Sequence, residues 1–302
     1  MNPRTIILVT GASSGIGKLS ARTLALAGHT VHASMRDLAG RNASAVRELQ
    51  EFAAAHGVDL RPLELDVQSQ ESADRAIDAI YAAHGRLDVL VHNAGHLLVG
   101  PAEAFSPEEM MRAYDVNVLG AQRVNRAALP RLRAQQFGLL LWIGSTTTRG
   151  GRPPFMSPYT AAKAALDSLA VDYAFETARF GLETTIVVPG AFTRGTSHFP
   201  NAGKPTDAAT VAAYDARYHG VLDVIGERLS ALMPEHADPQ AVADEVARVV
   251  ALPAGQRPFR TIVDFLGDGF AEVSEVADRV RIDFANRIGI GDLLTPTLTR
   301  RG

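Results

Sequence analysis

Tyr159 and Lys163 stand four residues apart in "SPYTAAKAALDSLAVDYAFE". If this stretch is a helix, the two lie one turn apart on one face. A free phenol, with a pKa of about 10, is a poor base near neutrality. A fixed cation beside it favours the phenolate and brings that value toward the working range of a general acid/base. The rest of the stretch, from Ala161 and Ala162 to Leu166 and Val171, reads as packing surface. Ser157 suits an N-cap and Pro158 the first helical position. The pair is therefore a candidate proton-transfer site.

A second cluster lies near the start. "VTGASSGIG" spaces Gly11, Gly15 and Gly17 as G-x3-G-x-G, directly after an apolar run. Gly11 suits a tight exit from a strand. Gly15 and Gly17 allow close approach of helix and ligand, and the helix N-terminus offers free N–H groups to a pyrophosphate. Ser13, Ser14 and Ile16 share this turn.

These groups need a frame. Strand-like runs fall at 5–9, 30–34, 60–65, 87–92, 138–144, 183–188 and 259–265. Helical segments fall at 16–27, 43–56, 70–84, 107–134, 158–179, 207–218, 220–232, 238–252 and 271–288. Gly28, Gly57, Gly85 and Gly181 each follow a helix, where a C-cap glycine belongs. Near-continuous apolar strands alternating with helices predict a doubly wound α/β domain, Rossmann-type, with a mostly parallel seven-stranded sheet. No low-complexity linker divides the 302 residues, so one domain is expected. It carries an insertion at about 191–237 and a C-terminal extension at about 266–302.

The bulk numbers narrow the function. Lys and Arg number 30 against 33 Asp and Glu, and no basic stripe favours nucleic acid. No run approaches the ~20 apolar residues of a membrane span. There are no cysteines, and the nine histidines lack metal-binding spacing, so no catalytic metal is expected. A cytoplasmic location is compatible with this.

The glycine turn with Thr10 resembles the short-chain dehydrogenase/reductase family. "HNAG" (92–95) is similar to that family's N-N-A-G, with His92 for the first Asn. Asn117 in "YDVNVLG", Ser145 in "WIGS", Tyr159 with Lys163, and "VVPGAFT" follow in family order. The resemblance implies that Tyr159 passes a proton to or from a carbonyl oxygen. It also implies that Ser145 orients that oxygen, and that Lys163 binds the nicotinamide ribose. Asn117 would hold a water beside Lys163, or would merely be a buried polar group. Thr146 lies one residue from Ser145 and could replace it. Asn93, Ala94 and Gly95 would lie against the cofactor ribose, Asp66 and Val67 against the adenine, and Pro189, Gly190 and Thr193 would bind the cofactor from the segment after the sixth strand. Asp66 could instead cap the next segment.

The second strand ends "TVHASMRD". Met35 occupies the place of an NAD-selecting acid, and Arg36 suits a 2′-phosphate. NADP(H) is preferred, with NAD(H) possible. Asp37 counts against this, since it could pair with Arg36 or accept from a ribose. On the substrate side, segments 95–101, 146–158 and 190–235 should emerge beyond the carboxyl ends of the strands. The last holds Phe192, His198, Phe199, Tyr214, Tyr218, Val221, Leu222 and Ile225, either as a lid over a fairly large apolar substrate or as internal packing. His96, His198 and His219 read as structural groups, and Arg149 and Arg152 as solvated or anion-binding. The expected activity is interconversion of a ketone or aldehyde and an alcohol. A cofactor-sensing binding protein, or an epimerase or dehydratase on this scaffold, is the alternative. A homodimer or homotetramer through 107–134 and 158–179 is expected, with a tail that frays or docks on a neighbour.

Overall fold

The computed structural model describes residues 4–196 and 198–298. In chain order the elements are β1 (Ile6–Val9), α1 (Gly15–Leu26), β2 (Thr30–Met35), α2 (Ala43–His56), β3 (Leu60–Glu64), α3 (Gln70–His84) and β4 (Val89–His92). Then come α4 (Pro107–Tyr114), α5 (Gly120–Gln135), β5 (Gly138–Ile143), α6 (Ser157–Thr177) and β6 (Leu182–Pro189). The last third holds α7 (Ala208–Tyr218), α8 (Val221–Leu232), α9 (Gln240–Ala251), β7 (Arg260–Val263) and α10 (Phe270–Arg287). All seven strands pair in parallel, in the order β3-β2-β1-β4-β5-β6-β7.

The sheet is covered on both faces, which is why its strands read as unbroken apolar runs. Alternate residues of β1 divide between the two layers. Ile6 and Leu8 join the core with Ile77 of α3, Val124 of α5 and Leu166 of α6. Ile7 and Val9 join Leu24 of α1, Leu49 of α2 and Val246 of α9. Strand order reverses between β1 and β4, and a crevice opens beyond their carboxyl ends. No helix among the described residues is long and apolar enough to cross a membrane.

In three places the elements depart from the sequence reading. The helix expected over 107–134 is divided: a π-helical turn, Asp115–Leu119, lies between α4 and α5. This wider turn swings Asn117 inward, where its amide donates to the carbonyls of Ala113 (2.9 Å) and His96 (3.0 Å). Ser157 is not the N-cap of α6. The helix starts on Ser157 itself, Met156 is the cap, and the Ser157 hydroxyl is buried without a partner. The tail docks on its own chain: Thr297 N–H donates to the Ala178 carbonyl at 2.8 Å. Residues 299–302 of that tail lie outside the described residues.

Candidate active site

A cavity of about 1340 Å³ runs along the carboxyl edge of the sheet, from the α1 turn to α8. Its floor is the junction of β1 and β4. The Thr10 hydroxyl accepts from the N–H groups of Asn93 (3.0 Å) and Ala94 (3.1 Å). The Asn93 amide returns to the carbonyls of Thr10 (2.8 Å) and Gly11 (3.0 Å). This lattice explains two glycines. A Cβ on Gly11 would stand 2.8 Å from the Ala94 backbone, and one on Gly17 would stand 2.3 Å from the Asn93 amide. Gly17 therefore serves helix–strand packing as well as lining the cavity. Gly15 faces open space, and Ser14, the N-cap of α1, makes no side-chain cap bond. The first N–H groups of α1 thus point into the cavity without a side-chain acceptor.

Ser13, Ser14, Ile16 and Gly17 also line this end, with Met35 and Arg36. Among the described residues the Arg36 guanidinium bonds only the Gln68 side-chain oxygen, at 3.4 Å. Asp37 does not pair with it. Asp37 takes a left-handed conformation, and its carboxylate accepts from the N–H groups of Gly40 (3.0 Å) and Arg41 (2.8 Å). Holding that loop brings Arg41 to the cavity wall beside Arg36. The sequence reading missed Arg41, since nothing local distinguishes a loop arginine six residues past a strand. Asp66 and Val67 line the wall, and the Asp66 carboxylate also caps its turn through Gln68 N–H at 3.0 Å.

At the other end stand Ser145, Tyr159 and Lys163, all buried and all on the cavity wall. The Ser145 hydroxyl lies 2.9 Å from the Thr147 hydroxyl, and Ser145 shares the cavity wall with Tyr159. Thr146 is buried next to Ser145 and also lines the cavity. Lys163 Nζ donates to the Ile143 carbonyl at 2.9 Å and lies 6.0 Å from the Tyr159 ring centre. Burial pushes the Tyr159 phenol up to about 12, against the easing effect of Ser145. Burial also pulls Lys163 down to about 8. The expected lowering of the phenol by Lys163 is therefore not seen. The ammonium faces a main-chain oxygen, and desolvation of the phenolate outweighs it.

Pro189 and Gly190 line the cavity, as do Asn93, Ala94 and Gly95. Two expected residues do not. Asn117 sits one layer behind Gly95, where its side-chain oxygen accepts from His96 N–H at 3.2 Å. Thr193 lies off the wall with its hydroxyl buried and unpartnered.

The expected lid divides as well. Phe199 and Ile225 face the cavity, joined by Leu97, Met156 and Leu229. Phe192 reaches the wall too but is anchored in the core against Phe265. Tyr214 and Tyr218 stack on each other outside, and Tyr214 donates to Glu103. Gly203 pairs with Leu98, tying the insertion to the β4 loop. His96 and His198 line the cavity. The His198 ring lies edge-on to Tyr159 at 5.5 Å, and desolvation, aided by the Lys163 charge, holds it below the ordinary histidine range. Arg152 lines the wall, whereas Arg149 is bound to Asp167 and Ser274. Among the described residues no cluster suits a metal ion.

Comparison with known proteins agrees with this geometry. The family model for short chain dehydrogenase matches residues 5–204. An uncharacterized oxidoreductase, YusZ of Bacillus subtilis, is 31% identical over 243 residues, which is 80% of this chain and 82% of that protein. Human 17-beta-hydroxysteroid dehydrogenase type 1 is 37% identical over 192 residues, 62% of this chain and 56% of its own length. A variant of the actinorhodin polyketide ketoreductase, solved with NADPH, superposes with a TM-score of 0.71 at 25% identity, covering 89% of this chain and 99% of that one. The chain belongs to the short-chain dehydrogenase family of oxidoreductases.

Proposed function

From that membership as premise, we propose that the protein is an NADP(H)-dependent oxidoreductase that interconverts a ketone or aldehyde and an alcohol. We read the chain as one catalytic domain. The observation that carries the reading is that Ser145, Tyr159 and Lys163 share the wall of a cavity whose far end holds Arg36 and Arg41.

The site fits a dinucleotide. Gly15 leaves space above the turn, and the α1 N–H groups suit the charge of a pyrophosphate. Arg36 and Arg41, with Ser13, would hold a 2′-phosphate, since Asp37 is spent on its own loop. Asp66 and Val67 would flank the adenine. Asn93, Ala94, Gly95 and Lys163 would hold the nicotinamide ribose, with Pro189 and Gly190 behind the ring. The nicotinamide supplies or takes the hydride. The NADPH in the related ketoreductase structure supports this choice.

The chain's own residues supply the rest. Ser145 holds the substrate oxygen, and Tyr159 gives it a proton in the reductive direction. A phenol held near 12 is fully protonated at neutral pH, so it stands loaded as an acid. Lys163 keeps a positive charge beside the site below pH of about 8. Asn117 positions the β4 loop from behind. Leu97, Phe199, Ile225 and Leu229 favour a fairly large apolar carbonyl compound.

The test is oxidation of NADPH and of NADH against a diverse panel of aldehydes and ketones. Turnover of apolar ketones with NADPH, at least tenfold better than with NADH, is expected. Tight NADPH binding without turnover of any carbonyl would replace the proposal with a cofactor-sensing role.

A further inference from the structure

Helix α10 lies away from the cavity and carries a pattern that the site does not use. Val273, Val276, Val280, Phe284 and Ile288 follow at spacings of three and four. At about 100° per residue they fall within roughly 60° of a single line. All five are solvent-exposed, Val280 by 58% and Phe284 by 56%. Another side of the helix holds it to the body. Phe270, Ser274 and Ala285 are buried, and Asp278 meets Arg260 and Arg281. Single exposed apolar residues are ordinary on a surface, but a five-residue stripe along one helix is an unpartnered packing face. Among the described residues the segment that follows does not cover it, because residues 289–298 dock on the end of α6 through Thr297 and Asp292.

The charges beside the stripe indicate what does. Glu272, Arg279, Asp283 and Arg287 run along one flank with alternating sign. The ion pairs of α10 among the described residues involve Asp278 and Arg281, and none of these four. A two-fold axis through Val280, perpendicular to the helix, would bring this flank against its own copy in the reverse direction. Val280 would then face Val280 of the partner subunit, and Val276 would face Phe284 of the partner subunit. Glu272 would stand level with Arg287 of the partner subunit, and Arg279 with Asp283 of the partner subunit. Each of the four flanking charges would meet an opposite one. In a parallel pair this flank would not meet itself, and the alternation would have no use. A bilayer surface fits less well. The helix carries Glu272, Glu275, Asp278 and Asp283 against Arg279, Arg281 and Arg287, and lacks the basic belt of a helix that binds anionic lipid.

We propose that α10 is a self-association surface on which two copies of this chain pack antiparallel about Val280.

The absence of cysteine makes a direct test available. In the full chain, Val280→Cys should form a disulfide-linked dimer under mild oxidation. Val276→Cys, which would face Phe284 of the partner subunit, and Glu275→Cys, on the outer side, should cross-link at least tenfold more slowly. By light scattering, Val280→Glu and Arg287→Glu should each lower the mass of the assembly or weaken its association at least tenfold. Adding Glu272→Arg to Arg287→Glu should restore it. Equal cross-linking at all three positions would overturn the proposal, as would a Val280→Glu mass unchanged across concentrations. So would flotation with anionic vesicles that Val280→Glu abolishes without any change in mass.

Discussion

Lys163 and Asp167 lie one turn apart on α6, both buried, and their surroundings differ in kind. Asp167 is bracketed by two guanidiniums, Arg149 at 2.7 Å and Arg260 on the other side. Lys163 has, among the described residues, only the Ile143 carbonyl, and it faces a cavity. A buried charge is expensive, and evolution has offset that cost around Asp167 but not around Lys163. The carboxylate joins the loop after β5, strand β7 and helix α6 into one unit. The ammonium is left available to a ligand. Arg149, a candidate anion site from sequence, falls on the structural side of this division. Arg36 and Arg41, which make no ion pair among the described residues, fall with Lys163.

The largest expected effect tests the reactive side. Tyr159→Phe should lower kcat by ~10³-fold or more while NADPH still binds, as followed by fluorescence titration. Turnover within tenfold of the parent would remove Tyr159 from the chemistry. On the structural side, Asp167→Ala removes the carboxylate shared by Arg149 and the buried Arg260 guanidinium and should cost ~3 kcal/mol, a fall in Tm of roughly 10 °C. An unchanged melting curve would erase the contrast on which this comparison rests.

Lys163→Met sharpens the contrast because its sign is opposite. Turnover should collapse, yet the protein should gain stability, up to ~3 kcal/mol at neutral pH. The folded pKa of about 8 lies below the unfolded 10.5, so the unfolded chain binds more protons between those values. Parent stability should therefore rise with pH from about 8 to 10.5, and Lys163→Met should lose that slope. A variant that melts earlier than the parent would assign Lys163 a structural role. The smallest effect lies at the other end of the cavity. Arg36→Ala and Arg41→Ala should each weaken NADPH by about tenfold and NADH by less than twofold, corresponding to ~1.4 kcal/mol. Equal losses for both cofactors would leave the 2′-phosphate assignment without support.

Much of the frame was readable in advance. The bounds of α2 and α3 follow from their apolar period and terminal glycines, and the parallel sheet follows from unbroken apolar strands. Asn117 was readable as a candidate but not its placement. The π turn that swings it inward depends on the main chain of His96, far from it in sequence. Arg41 stayed hidden for a similar reason, because it reaches the cavity only through a loop folded over the Asp37 carboxylate. Phe192 looked like lid and proved to be anchored in the core, since apolar character does not say which side a residue faces.

By itself the sequence determined the alternation of strand and helix, the glycine turn after β1, and the one-turn spacing of Tyr159 and Lys163. Each of these rests on local backbone geometry and short-range periodicity. Only the tertiary structure decided which buried charges acquire partners, that Asn117 turns inward behind Gly95, and how far burial moves Tyr159 and Lys163 from their solution values. Those outcomes depend on groups distant in the chain that fold into one low-dielectric neighbourhood, where removal of water outweighs the attraction the short motif had suggested.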